Sequence, residues 1–456
     1  MKYLPAFFNK IILIGIIAQG IQLNAQNFET PPPYSRDTTN LIHFDFEIIK
    51  KESTYYLKDT SSIFTFINRM FGGVILKDTQ TSPLDTAIYP LAFSIKGLKS
   101  NTVALDLSRN SQTTIPKVLF EKHQDLQYLF LNHNHLQHIS KEIGLLQNLR
   151  VLNLASNELT QIPKTIKKLQ KLRKLNLSDN KFSELPKEIG SLQSLISLNL
   201  RECLMLNKIP QEIGQLTNLR AIYFSINQLT EFPQGICQLQ KLNILFLRNN
   251  RLITEIPKEI GNLKKLMFLD LCCNGIKTLP TTMGKLKNVQ HLDIASNQLS
   301  QMPPEIFKLK KVRHLNLSGN QLVLLPKQIG KLKNLYHLRL YRNQLESLPM
   351  RFYKLKKLKH LDLSSNQLSN LSSDIAKLTQ LKTLILDYNQ LKNIPKEIDQ
   401  LKQLQNLSLE GNQLENLPIE VRKLSNLKNI NLQHNKFSKS KQLELQNLLP
   451  NCEFRF

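Results

Sequence analysis

Four histidines recur at one interval: His291, His314, His337 and His360 lie 23 residues apart. Imidazole binds transition metals as a neutral ligand and titrates close to neutral pH. Asp293, Asn316, Arg339 and Asp362 follow at the same interval two residues downstream, with Asp270 one step earlier. If each interval is one rung of a stacked structure, neighbouring rings stand about 4.8 Å apart. Two of them, helped by an aspartate or water, could hold Zn²⁺ at N–Zn distances of about 2.0–2.1 Å. All four span about 15 Å, too far for one ion. The column also predicts a pH response, because imidazoles with a pKa of about 6.5 would charge together in mild acid. Against both readings, HLDL and HLNL are ordinary spellings of a strand, and duplication copies them.

Other catalytic chemistry does not converge. The chain has no GxxxxGK[ST], GxSxG, HExxH or GxGxxG spacing. Its outward acids and bases are spread by repetition, so the expectation is that it is not an enzyme. The five cysteines, Cys203, Cys237, Cys272, Cys273 and Cys452, form no CxxC or Cys/His zinc module. Their odd number leaves at least one free or intermolecular thiol outside the cytoplasm, and a disulfide scaffold is not expected.

The element that positions these residues is a repeated phrase. Residues 335–357 read LYHLRLYRNQLESLPMRFYKLKK. Counting from Leu335, apolar residues fall at positions 1, 4, 6, 11, 14, 18 and 21, with Asn343 at position 9 and Pro349 at position 15. The first part has the two-residue period of a strand, and the second the wider spacing of a turn and loose helix. One such unit cannot bury its own apolar edge and needs a neighbour on each side. Copies are marked by position 9, from Asn110, Asn134, Asn157 and Asn180 through Cys203 and on to Asn435, about 15 units in steps of 23 or 24 residues. Positions 4 and 6 are expected inside a parallel strand. Position 9 turns the chain and hydrogen-bonds backbone groups left unpaired there. Proline at 15 opens the convex segment. A strand spacing of about 4.8 Å gives a sheet arc of roughly 65–70 Å.

The fold expected is therefore an α/β solenoid: a horseshoe with a parallel concave sheet and short 3-10 or helical convex segments, capped at both ends. Residues 1–25 read as a signal peptide: Lys2 and Lys10, an apolar run from Ile11 to Ile21, and Leu23-Asn24-Ala25 before Gln26. That run is short of the ~20 residues that span a bilayer, and no later segment is apolar enough. Residues 26–100 read as a linker and N-terminal cap, 101–436 as the array, and 437–456 as a C-terminal cap of a helix and a last strand, CEFRF.

The pattern LxxLxLxxNxLxxLPxxIxxLxx, over residues 101–456, resembles the leucine-rich repeat in its 23-residue form. The phrases LPKEIG and LNLS, the lysine-rich convex side and the CEFRF ending are most similar to the leptospiral branch of that family. The resemblance implies a secreted or surface-exposed bacterial binding protein, with a host extracellular protein as a partner.

Positions 3, 5, 7 and 8 face out of the concave sheet and are the expected binding surface. They hold an apolar and aromatic set: Tyr128 and Phe130, then Tyr223, Ile226, Ile244, Phe246 and Phe268 on adjacent rungs. Exposed aromatics on a rigid sheet make good anchors. Further along lie Arg339, Tyr341, Arg342, Asp387, Tyr388 and His434, of types common at interfaces. With 61 Lys plus Arg against 35 Asp plus Glu, the net charge is +26, and lysine pairs such as Lys167-Lys168, Lys264-Lys265, Lys310-Lys311 and Lys356-Lys357 fall on the convex side. A solvated face explains them, and so does an acidic glycan as partner. Nucleic acid is disfavoured, since no recognition motif is present. A self-associating structural or envelope-associated protein is the alternative to a binder.

Overall fold

The computed structural model describes residues 103–456. The expected signal at 1–25 and the linker and cap at 26–100 lie outside the described residues. From there the chain winds into coils that each begin with a three-residue strand, from β1 (Ala104–Asp106) to β15 (Asn429–Asn431), followed by β16 (Glu453–Arg455). The sixteen strands form one open parallel sheet in sequence order. Register is kept position for position: in β11 (His337–Arg339), Leu338 stands between Leu315 and Leu361. Successive strands run parallel because each returns by way of a convex crossover.

The inward residues do what their period requires. Leu335, Leu338, Leu340 and Leu345 are fully buried, as is Phe352 on the convex side. They join one continuous apolar core that runs from the first coil to the last. Each coil shares its core with two neighbours, so stability is additive along the array.

Position 9 builds the ladder. Asn343 accepts the Leu322 N–H at 3.1 Å, and its amide donates to the carbonyls of Leu317 in the preceding coil and Leu340 in its own, both at 3.0 Å. Asn366 repeats the set on the next coil with Leu345, Leu340 and Leu363. Cys203 breaks the series: a thiol replaces the amide, and it reaches the Leu177 carbonyl at 3.3 Å and the Arg201 carbonyl at 4.0 Å. Burial pushes its pKa up to about 12, so it is an unreactive core thiol.

Just before the asparagine, every coil passes through the left-handed region at position 8. The φ angles run from 59° at Arg109 to 54° at His434, with glycine only at Gly319 and Gly411. Non-glycine residues adopt this conformation at a cost of roughly 1–2 kcal/mol. A β-branched residue there, Ile226 at φ 62°, is an outlier.

The convex side begins at proline in most coils, as expected, and at Ser140 and Ser372 in two, and continues as five-residue 3-10 segments. Pro326 (φ −59°, ψ 139°) caps the segment Lys327–Lys331, in which Ile329 is buried. Adjacent segments touch so closely that position 19 is often glycine. A Cβ on Gly261 would sit 2.6 Å from the Thr282 carbonyl oxygen. The first coil differs, with an α-helix, α1 (Lys117–Lys122), in place of the 3-10 turn. At the other end α2 (Lys439–Leu448) is capped by Ser438, whose hydroxyl accepts the Lys441 N–H at 3.3 Å. β16 then pairs in parallel with β15. Among the described residues no helix is long and apolar enough to cross a membrane.

Candidate functional site

The concave sheet presents positions 3 and 5 from each strand, and the structure sorts the expected site residues into three regions. In the first, β6 (Ala221–Tyr223), β7 (Ile244–Phe246) and β8 (Phe268–Asp270) are adjacent, so that Tyr223 pairs with Phe246, and Ile244 with Phe268. The Tyr223 and Phe246 rings meet edge to face at 5.5 Å and 80°. Tyr223 and Ile244 are buried in the face, whereas Ile226, Phe246 and Phe268 remain half-exposed. The Tyr223 hydroxyl has no hydrogen-bond partner among the described residues, and burial raises its pKa. Tyr128 and Phe130 stand apart on β2 (Tyr128–Phe130), with Val151, Lys174 and Ser197 between Tyr128 and the patch.

The second region is the histidine column. His291, His314, His337 and His360 are direct register partners on consecutive strands. Their ring centroids are separated by 5.6, 4.9 and 4.1 Å, with interplanar angles of 30°, 27° and 19°. Phe268 extends the row at 6.3 Å from His291, and Tyr336 stacks on His337 at 4.9 Å. Nitrogen lone pairs lie in the ring plane, so nearly parallel rings cannot aim theirs at one point. A shared ion therefore requires at least one ring to rotate.

The expectation of charging in mild acid reverses. Burial first, and then the neighbouring histidines and Arg339, lower His314 to about 3 and His337 to about 2; burial with Lys382 and Lys359 lowers His360 to about 4. The three imidazoles stay neutral through mildly acid pH. His314, His337 and His360, with Tyr336 packed against them, thus form an uncharged aromatic surface rather than a cationic one. His337 is 9% exposed, and its Nε2 has no partner among the described residues.

Between these regions sits a cluster missed at the level of sequence. Donor atoms of Asp270, Cys272 and Asp293 lie within 4.8 Å of one another. The Arg248 guanidinium lies among them, 3.6 Å from Asp270, 3.8 Å from Asp293, and donating to Cys272 Sγ at 3.3 Å. Asp293 also accepts from Asn316 at 3.1 Å. Burial and the Asp293 charge raise Asp270 to about 7 against the pull of Arg248. Cys272 keeps its proton, through its hydrogen bond to Cys273 and burial, while that bond lowers Cys273 to about 7. The donor set suits a metal by distance, but an arginine already supplies its cation. Repeat position marked these side chains as outward; that one arginine reaches two coils on was not readable from it.

The third region gathers at the C-terminal end. The Tyr388 hydroxyl donates to the Glu410 carboxylate. Asn431 donates to the same group at 2.8 Å, and His434 stands 3.9 Å from it. Asp387 is buried, accepts the Glu410 N–H at 2.9 Å, and is raised to about 6 by burial. Glu410 is the residue that sequence reasoning did not select. Arg339 and Tyr341 are half-exposed and Arg342 exposed, one coil from His360 rather than within this cluster.

Family models for the leucine-rich repeat region match residues 104–222, 164–250 and 257–335, and further leucine-rich repeat models match 333–391, 361–414 and 241–263. A leucine-rich repeat protein of Leptospira interrogans is 37% identical, with 80% of this chain and 98% of that one aligned and a TM-score of 0.71. This chain belongs to the leucine-rich repeat family. The plant peptide hormone receptor RGFR1, solved in complex with RGF2, is 29% identical over 74% of this chain and 64% of that one, with a TM-score of 0.56. An internalin of Listeria monocytogenes shares the fold at 22% identity, over 69% and 88% of the two chains, with a TM-score of 0.59. A search of curated protein sequences finds no match. The leucine-rich repeat fold is typically a scaffold for protein–protein interaction, and the position-by-position strand register seen here is that scaffold.

Proposed function

We propose that this leucine-rich repeat protein acts outside the cell or at its surface, after loss of residues 1–25, by docking a protein on its concave sheet. A host extracellular protein is the partner class, and the activity is binding rather than catalysis. The observation that carries this reading is Ile226. A β-branched residue at φ 62° costs stability, yet it stands half-exposed just past the end of strand β6, one coil before Phe246 and two before Phe268. A position that glycine would fill without strain holds instead an apolar side chain on the coil that precedes the two half-exposed phenylalanines. Arg339, Tyr341, Arg342 and Tyr388 form the polar continuation of the anchor, and Tyr128 and Phe130 its far end.

The test is retention of extracellular host proteins on immobilised residues 26–456. Replacing Tyr223, Phe246 and Phe268 by alanine should abolish it, and Phe268→Ala alone, which removes little core, should weaken it. Retention that survives both changes removes the patch as the anchor. Light scattering separates the self-associating alternative: a monodisperse monomer at all concentrations excludes it, and concentration-dependent growth supports it.

A minor second reading is Zn²⁺ held by adjacent imidazoles. It is favoured by the unpartnered His337 Nε2 and the 4.1 Å separation from His360. Calorimetric titration of Zn²⁺ should give a heat that disappears in His314→Ala and His337→Ala; the same heat in the variants removes this reading.

A further inference from the structure

A strip of lysine follows the back edge of the solenoid, where each 3-10 segment ends and the chain turns into the next strand. Position 22 is Lys264, Lys287, Lys310, Lys333 and Lys356 on five successive coils. Position 20 beside it is Lys285, Lys308, Lys331, Lys354 and Lys377. All are exposed. Hydrogen bonds tie the columns together from coil to coil: Lys287 Nζ reaches the Lys308 carbonyl at 3.4 Å, and Lys356 Nζ the Lys377 carbonyl at 2.8 Å. Position 23 adds Lys311 and Lys357, held by Asn288 and Asn334 of the preceding coils at 2.7 and 2.9 Å.

The earlier coils show that the fold does not require this charge. There position 22 reads Gln147, Gln170, Gln193, Thr217 and Gln240. Gln193 donates to the Gly190 carbonyl at 2.9 Å, the same bond that Lys287 makes to Gly284 at 2.6 Å. Gln170 donates to the Ser191 carbonyl of the next coil at 3.1 Å, which is the bond Lys356 makes to Lys377. A glutamine therefore satisfies the structural need at this position. Lysine satisfies it too and adds one cation per coil. Few carboxylates answer: Lys308 stands 3.9 Å from Glu305, and Lys377 2.6 Å from Asp374. The amines also repel one another, since Lys308, Lys310 and Lys264, after partial burial, lower the pKa of Lys287.

We propose that this lysine strip binds a linear sulfated polysaccharide laid along the solenoid axis, independently of the concave face. Its shape selects the partner class. The strip is long and narrow, so it suits a chain rather than the plane of a bilayer. Its cations repeat once per coil, matching a polymer whose anions also repeat. Columns 20, 22 and 23 carry no exposed aromatic side chain across these coils, and single-stranded nucleic acid sites rely on such rings for base stacking. Lysine, a compact point charge, suits sulfate without demanding bidentate geometry.

The probe is heparin, its affinity measured against salt concentration. The informative variant changes Lys264, Lys287, Lys310, Lys333 and Lys356 to glutamine, which keeps the donor used by the earlier coils. By counterion release at about 0.7 per contact, the log–log salt slope should flatten by about 3.5. Affinity near 0.15 M salt should fall about tenfold or more. A control changes Lys141, Lys164, Lys187, Lys327 and Lys396, exposed lysines at position 16, to glutamine. It removes the same charge and should leave the slope nearly intact. Equal losses in the two variants would reduce the effect to net charge and overturn the proposal, as would unchanged heparin binding in the position-22 variant. Tighter binding of a single-stranded oligonucleotide or of phosphatidylserine vesicles than of heparin, with the same sensitivity to the five changes, would overturn the assignment to a polysaccharide.

Discussion

Coils with strands β5 (Ser197–Asn199) to β8 and coils with strands β9 (His291–Asp293) to β12 (His360–Asp362) share one backbone and one inward code, yet their outward surfaces differ. The earlier set shows Tyr223, Ile226, Phe246 and Phe268; the later set shows stacked imidazoles, with His314, His337 and His360 held neutral by burial. The back edge differs along the chain as well, glutamine and threonine giving way to lysine at position 22. Inward leucines and ladder asparagines barely change across the same span. Outward columns are thus free of the constraint that fixes the inward ones, and function is to be sought where they depart from neutral polarity.

The comparison breaks most readily at the ladder. Asn366→Ala leaves the Leu345 N–H without its partner and takes one of two donors from each of the Leu340 and Leu363 carbonyls, which keep Asn343 and Asn389. At about 1–3 kcal/mol for an unsatisfied buried group, chemical denaturation should show a loss of about that size. Cys203→Ala, in the slot that already lacks the amide, should cost well under half as much. Similar losses at the two sites would mean that the ladder does not stabilise the coils as described. Gly261→Ala tests the convex contact: the clash with the Thr282 carbonyl should cost about 1–3 kcal/mol.

The histidine coils should be the acid-sensitive ones. Their folded pKa values lie below the unfolded value of about 6.5, so the unfolded chain binds more protons as the pH falls. Stability from this column is complete above about pH 6.5 and is lost progressively on acidification, toward about 4 for His360, 3 for His314 and 2 for His337. For the buried His337 the loss at pH 5 relative to pH 7 should be about 2 kcal/mol. His337→Leu should remove that increment. An equal pH dependence in the variant would show that the column titrates near its ordinary value.

The smallest effect expected on stability is the most telling. Ile226→Gly relieves the left-handed strain and should stabilise the array by about 1 kcal/mol, while retention of a protein partner falls. A destabilised variant would mean that the side chain serves packing instead.

The leucine and asparagine columns made the solenoid legible in the sequence, because their period fixes which residues share a face. Parallel order, strand placement and the terminal helix from Lys439 follow from it. Distance between columns does not. Nothing in the spacing revealed that Tyr223 and Ile244 are buried, that Arg248 reaches Asp270 and Asp293, or that Glu410 draws in Tyr388 and Asn431. The left-handed turn at position 8 was equally hidden, since glycine marks it only at Gly319 and Gly411. The imidazoles were correctly placed in a column, but their neutrality comes from mutual burial, which a periodicity carries no measure of.

The central claim is that outward columns carry binding and inward columns carry the fold. It is tested most directly by changing Phe246 and Phe268 together to serine and measuring, on the same preparation, the denaturation midpoint and the retention of extracellular proteins by residues 26–456. The account predicts at least about a tenfold loss of retention, or 1.4 kcal/mol, with the midpoint held within the ~0.5 kcal/mol usual for surface substitutions. Retention that persists at full strength, or a loss that only tracks unfolding, would contradict it.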